Sequence, residues 1–259
     1  VDHASYPTEP IARNSHMYRP LGLGYSNLVS VVMTNGLAYD SDSARGLCGS
    51  LTSLLHGEAN RTSAELAGVV GAFDGYSKNE KPMLNVMQMH RDACDEINDD
   101  GPRELKVAAR QLWDDVLKIG EKYGFRNAQA TVLAPTGTIS FMMDCDTTGI
   151  EPDFALVKHK QLVGGGFLAM VNRTVPRALR RLGYAPSRID AIVQHLETHG
   201  SIEGAPDLNV EHHSVFACSV GENAISAAGH VGMMAAAQPF LSGGISKTVN
   251  LPETATAQD

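Results

Sequence analysis

The sequence predicts an α/β fold, helix-rich in its first half, on three observations. Between Arg19 and Tyr123 apolar residues recur at the spacing of amphipathic helices. At Gln129 the texture changes to a short β-branched run, Ala130-Thr131-Val132-Leu133, broken by Ala134-Pro135-Thr136-Gly137. Beyond it strand and helix candidates alternate, and strands joined through helices pair in parallel because a parallel pair needs a long crossover. The visible strands are few, so the sheet is either small or completed by strands outside this sequence.

Taken in order, Leu21, Tyr25, Leu28, Val29, Val32 and Met33 predict a helix over Arg19–Gly36, with Gly36 as its stop. Ser41-Asp42-Ser43 offers N-caps for a long helix reaching Val70, and Gly71 to Pro82 reads as a loop. Helices are then expected over Met83–Ile97 and Arg103–Tyr123, the latter closed by Gly124. After the strand at Ala130–Leu133 comes a tight turn and a short helix, then a strand over Phe154–Leu162. Helices over Phe167–Gly183 and Ser187–His199 follow, then a buried Met- and Ala-rich helix over Val231–Phe240 and a last strand over Ile245–Leu251. The expected organisation is a single segment, with 1–125 mostly helical and 126–259 α/β.

Composition narrows the function classes. With 259 residues, 43% of them hydrophobic, the chain can bury a sizeable core. A net charge of −8 argues against a surface that coats nucleic acid, which needs an excess of Lys and Arg, but leaves room for a small anion held by a few local donors. No run of about 18 apolar residues is present to span a bilayer, and Val1-Asp2-His3 does not begin a signal peptide, so the expectation is a cytoplasmic protein without a membrane partner. The four cysteines are scattered, with no CxxC pair, and most of them read as buried thiols. The polar start, without an initiator Met, suggests a piece of something longer.

The richest stretch is Thr131-Val132-Leu133-Ala134-Pro135-Thr136-Gly137-Thr138-Ile139-Ser140. A strand passing through such a turn into a helix leaves unpaired amides at the first helical turn, with hydroxyls beside them and a glycine that allows close approach. On residue chemistry alone an ordinary capped turn is the simpler reading and a phosphate site the alternative. Glu151 in Thr147-Thr148-Gly149-Ile150-Glu151-Pro152 reads as a solvated loop residue in preference to a buried functional carboxylate. Cys145 lies between Asp144 and Asp146, whose charges would make it a poor nucleophile. His195 and His199 are one helical turn apart but lack a third ligand, and His212-His213 diverge; neither pair is expected to hold a metal. Gly164-Gly165-Gly166 reads as a turn, and Met233-Met234 as core filler.

Several of these stretches, in this order, resemble class II, adenosylcobalamin-dependent ribonucleotide reductases. They are Arg19-Pro20-Leu21-Gly22-Leu23-Gly24, Gly36-Leu37-Ala38-Tyr39-Asp40-Ser41-Asp42, Arg126-Asn127-Ala128-Gln129, Ala134 to Ser140, Thr148-Gly149-Ile150-Glu151-Pro152, and Ser246-Lys247-Thr248-Val249-Asn250-Leu251-Pro252. The forms Pro-Thr-Gly-Thr-Ile and Ser-Lys-Thr-Val-Asn-Leu-Pro look more like this class than the class with a separate diiron subunit. The resemblance implies the C-terminal part of a ten-stranded α/β barrel, in which Thr136, Gly137, Thr138 and Ile139, backed by Ser140, hold the substrate's phosphates. It also implies adenosylcobalamin as cofactor, a ribonucleoside diphosphate or triphosphate as substrate, a thioredoxin-like dithiol as reductant, and the remainder of the chain as partner. The family's radical-bearing pattern, Asn-x-Cys-x-Glu, has no counterpart here, so no catalytic residue is expected in this segment and the isolated piece is expected to be inactive. The rival reading is a non-catalytic phosphate- or nucleotide-binding module.

Overall fold

The structure, a computed structural model, describes residues 1–161, 165, 167–221, 223–251 and 254–256. In chain order it contains α1 (Glu9–Tyr18), α2 (Leu28–Thr34), α3 (Asp42–Val70), α4 (Tyr76–Ala93), α5 (Arg103–Tyr123), α6 (Gly137–Met142), the strands β1 (Val157–Gln161) and β2 (Phe167–Val171), then α7 (Val175–Arg181), α8 (Pro186–His199) and α9 (Ala227–Ala237). The chain falls into two compact units. One comprises Val1–Gly24, Gly46–Ala134 and Ala235–Ser246; the other comprises Tyr25–Arg45, Pro135–Met234 and Lys247–Asp259.

In the first unit, α5 forms where its amphipathic stripe dictates. Ala109, Trp113, Val116 and Gly120 recur on one face and are buried, and Gly124 at φ +70° ends the helix. That face joins Met87 of α4, Ala64 of α3, Cys94, Phe125 and Phe240 in one core. The expected loop over Gly71 to Pro82 is shorter than predicted, because α4 starts at Tyr76 and carries Pro82 inside it. A proline there forfeits one backbone bond, and burial of Met87 and His90 on the same helix outweighs that loss.

The long helix predicted from Ser41-Asp42-Ser43 is present as α3, with the Ser41 hydroxyl accepting from the Ala44 amide at 3.1 Å. The helix predicted over Arg19–Gly36 is cut down to α2, although Gly36 does stop it, at φ +71°. Pro20, Gly22 and Gly24 suppress helix over the first part, and that part runs extended instead. There Leu21 and Leu23 donate to the carbonyls of Gln129 and Ala130, and Val132 donates back to Leu23. Parallel bridges Leu23↔Thr131 and Leu133↔Ile245 set the 129–133 segment between two neighbours distant in sequence. Parallel pairing is therefore present here as single bridges, but the sheet of parallel strands that was expected is not: among the described residues the one ladder is antiparallel and uses the strand expected over Phe154–Leu162. The approach is close: a Cβ on Gly24 would lie 2.3 Å from the Val132 carbonyl oxygen. Gly24→Ala is accordingly expected to destabilise the protein by about 1–3 kcal/mol in urea unfolding, and an unchanged midpoint would contradict this close approach.

In the second unit, β1 and β2 pair antiparallel, from Val157↔Val171 to Gln161↔Phe167. The helix predicted over Phe167–Gly183 is thus wrong in its first part. An apolar run of that length does not distinguish strand from helix by periodicity, and the helix begins only after a turn in which the Val175 and Thr174 amides bond to Asn172. α7 and α8 supply Val175, Ala178, Leu179, Ile189, Ile192 and Leu196 to a core shared with Met33 of α2, Phe216 and Cys218. α8 lies where expected, whereas α9 starts four residues before the expected Val231 and gives way to a 3-10 turn over Gln238–Phe240. Of the Gly164–Gly166 run, Gly164 and Gly166 lie outside the described residues. Among the described residues no helix is long and apolar enough to cross a membrane.

Candidate functional site

The 129–133 segment passes through Pro135 into α6, and Thr136 at their junction adopts the left-handed conformation, φ +54° and ψ +27°. A β-branched residue holds that conformation only when its surroundings impose it. Here the Thr136 hydroxyl oxygen accepts the Gly149 amide at 2.6 Å and meets the Ser140 and Ser26 hydroxyls at 2.9 and 3.1 Å. Ser26 and Ser140 bond each other at 2.5 Å, and Gly149 also donates to Ser26. Asn27 ties down Thr147 from the same side.

This cluster takes in two of the expected site residues, Thr136 and Ser140. Thr136 stands at the N-cap position, yet its hydroxyl caps no amide of its own helix, and Ser140 is 1% exposed. Both hydroxyls are occupied within the protein. What the turn presents outward is the exposed stretch Gly137, Thr138 and Ile139, whose amides head a helix and have no acceptor within it. A Cβ placed on Gly137 would meet nothing within 4 Å.

Glu151 lies in a loop as expected, but its carboxylate is not solvated. Its carboxylate takes the Lys247 ammonium and the Thr248 amide, each at 2.7 Å, and the Lys247 side chain is fully buried. Lys247 also donates to His230 Nδ1 at 2.7 Å and to the Thr248 carbonyl at 3.0 Å. Burial lowers the Lys247 pKa, against which the Glu151 carboxylate acts; burial and the adjacent ammonium lower that of His230. Glu151 and Lys247 both sit in stretches that the sequence had marked, but 96 positions apart, and no periodicity pairs them.

Of the other candidates, Asp144 and Asp146 beside Cys145 both face Arg173, so their charges are compensated. His195 Nε2 meets the Glu203 carbonyl and His199 Nδ1 the His195 carbonyl, with the two rings stacked 4.1 Å apart. His212 bonds Tyr184, and His213 lies 3.1 Å from Glu203. Met233 is core, as expected.

A polar network that sequence reasoning missed lies inside the first unit. His90 Nδ1 donates to the Pro239 carbonyl at 2.6 Å, the two Nε2 atoms of His56 and His90 are 3.2 Å apart, and His56 Nδ1 lies 2.9 Å from the Thr131 hydroxyl. Trp113 donates to Ser53 at 3.0 Å and packs against both imidazoles. The available signal was His56 and Asn60 one turn apart within the apolar pattern of α3, now joined by hydrogen bonds.

Comparison with known proteins places this geometry in a family. The model of the ribonucleotide reductase barrel domain matches residues 1–259. A vitamin B12-dependent ribonucleotide reductase of Rhodopirellula baltica is 72% identical across all of this chain, which corresponds to 25% of that protein's length. One from Streptantibioticus cattleyicolor is 55% identical over 99% of this chain and 43% of its own length. The chain therefore spans a quarter to less than half of these curated relatives. Among solved structures, the class Id ribonucleotide reductase alpha subunit of Actinobacillus ureae superposes with a TM-score of 0.56 at 20% identity, covering 90% of this chain and 33% of that one, which is a likeness of fold. This chain belongs to the ribonucleotide reductase barrel-domain family.

Proposed function

We propose that this chain is the part of a cobalamin-dependent ribonucleotide reductase that holds the substrate's phosphates, at the amides of Gly137, Thr138 and Ile139 with the Thr138 hydroxyl beside them. The observation that carries the reading is the outward-facing first turn of α6, fixed from behind by the Ser26, Thr136 and Ser140 hydroxyls. Amides converging at a helix start favour an anion both by hydrogen bonding and through the helix dipole, and a rigid turn does so without reorganising. In this reading Thr136 and Ser140 shape the site while the three residues between them touch the ligand.

The parent reduces a ribonucleotide to its 2′-deoxy form by thiyl-radical chemistry, and a thioredoxin-like dithiol restores the reductant. The radical cysteine comes from another part of the parent chain. Cys94 and Cys218 lie in the cores of their units, where burial raises both thiol pKa values, that of Cys218 to about 12, and Cys48 is fully buried. Adenosylcobalamin supplies the radical when bound to the parent. No residue of this segment is assigned to it, since His90, which lines a cavity of about 380 Å³, has both ring nitrogens engaged. Ribonucleotide, the rest of the chain and the dithiol protein are the proposed partners, without nucleic acid or membrane, and the cytoplasm is the proposed compartment. A free-standing binding module is disfavoured, because the matched segment makes up only 25% and 43% of the length of the two relatives named as reductases.

The test is a titration of the full-length reductase with CDP or CTP by calorimetry. Gly137→Val adds a branched side chain where the protein has open space, so folding is expected to be retained while affinity falls at least about tenfold. Thr138→Ala removes one hydroxyl bond, worth about 0.5–1.5 kcal/mol, and is expected to weaken binding less. Parental affinity in a folded Gly137→Val variant would overturn the assignment.

A further inference from the structure

The Glu151, Lys247 and His230 cluster has no place in the function just described, yet its hydrogen bonds lead to the phosphate turn. The Lys247 ammonium has three hydrogens, and all three are taken: by Glu151 Oε2, His230 Nδ1 and the Thr248 carbonyl. An ammonium only donates, so His230 accepts through Nδ1 and carries its own hydrogen on Nε2. The second Glu151 oxygen takes the Thr248 amide, which binds the carboxylate to both the side chain and the backbone of the 247–248 segment.

From Glu151 the connection runs on through a tight turn. The Glu151 amide donates to the Thr148 carbonyl at 2.8 Å, and within that turn the Gly149 amide donates to the Thr136 and Ser26 hydroxyl oxygens. Thr136 is the residue whose left-handed backbone opens α6. Stability alone gives little reason to keep such a cluster. A buried ion pair is often no better than apolar side chains of equal volume, and His230 Nε2 is buried without a partner among the described residues.

We propose that Lys247 is a positioning residue for substrate phosphate: by holding Glu151 it fixes the Thr148–Glu151 turn, and the Gly149 amide then keeps Thr136 in the conformation that directs the Gly137–Ile139 amides outward. The proposal rests on the phosphate-turn reading above. Lys247 does not itself touch the substrate. Its effect appears in nucleotide affinity, because an amide array displaced by a fraction of an ångström loses convergence on the anion while the chain stays folded.

The experiment uses the full-length reductase and three variants: Lys247→Met, the double variant Lys247→Met/Glu151→Gln, and Gly137→Val. Each is titrated with CDP or CTP by calorimetry, and melting temperature is recorded alongside. Lys247→Met leaves a half-buried carboxylate without its counter-charge and carries the risk of misfolding; the double variant removes both charges and is expected to recover the parental melting temperature. The expected result is that the folded double variant still binds at least about tenfold more weakly, with kcat/KM reduced on the order of a hundredfold. If the pair merely neutralises its own charge, the double variant recovers affinity together with stability, and the proposal is overturned. Weakened binding in Gly137→Val beside parental binding in the double variant defeats the Lys247 proposal alone; parental binding in Gly137→Val defeats the phosphate-turn reading and this proposal with it.

Discussion

Trp113→Ala is expected to destabilise the first unit by about 3–5 kcal/mol, the range for deleting a large aromatic from a packed core. Trp113 is fully buried, its indole donates to Ser53, and its ring lies 5.3 Å from His56 and 5.1 Å from His90. Truncation opens a cavity among side chains that are themselves hydrogen-bonded in place, so little collapse can refill it. It also removes one of the Ser53 hydroxyl's two partners, leaving Cys94 Sγ at 3.3 Å, and loosens the seat of both imidazoles. Because Trp113 is the single tryptophan, the measurement is urea unfolding followed by far-UV circular dichroism. A loss below about 1 kcal/mol would show that this core is not the principal support of its unit.

Mild acid is expected to destabilise the same unit before its carboxylates protonate. His90 Nδ1 donates to the Pro239 carbonyl, so the neutral ring accepts at Nε2, where His56 Nε2 donates; His56 Nδ1 then accepts from the Thr131 hydroxyl. A proton added to His90 Nε2 faces the His56 Nε2–H, and one added to His56 Nδ1 faces the hydrogen of the Thr131 hydroxyl, which must then turn away. Burial lowers the pKa of both rings, that of His56 to about 3 with help from the charge of His90, whereas the unfolded value is near 6.5. Above about pH 6.5 both states are neutral and the stability is fully present. Below it the unfolded chain binds protons that the folded chain refuses, so stability falls as pH drops, for His56 by on the order of 1 kcal/mol per pH unit from 6.5 toward 3, and His90, whose pKa burial also lowers, adds to the loss in the same direction. Unfolding of the parental chain, followed by Trp113 fluorescence between pH 7 and 5, measures the slope. A flat profile, or one unchanged by His56→Gln, would contradict the tautomer chain.

Legibility in the sequence followed the range of the interactions. α3 and α5 were readable because capping residues and an apolar stripe act within a few positions, and the turn into α6 was readable because Pro135 and Gly137 punctuate it locally. The extended stretch after Pro20 was misread: Leu21, Tyr25 and Leu28 fit a helical spacing, and only the partner carbonyls of Gln129 and Ala130 make them strand-like. β2 was misread for the same reason, since its identity depends on β1. In the proposed site, local chemistry left Gly137 through Ile139 as an ordinary capped turn, and the family resemblance is what put a phosphate there. That the Thr136 and Ser140 hydroxyls turn inward could not be read locally, because Ser26 and Gly149 decide it. Glu151 passed for a solvated carboxylate because Lys247 follows it by 96 positions, and His56 drew no notice because His90, on another helix, completes the pair.

The placement of the 129–133 segment between Leu23 and Ile245 has a consequence for synthesis. Both pairings are parallel and join residues more than a hundred positions apart, and the second closes only when Ser246 donates to the Leu133 carbonyl. At translation rates of about 5–20 residues per second, the nascent first unit waits roughly 5–20 s after Leu133 is made before its last segment exists. Meanwhile one edge of the 129–133 segment carries unpaired backbone groups, the condition under which strands pair with wrong partners. The two-unit architecture thus sets a folding order: the second unit's intervening helices are synthesised during that interval, while the first remains open along one edge.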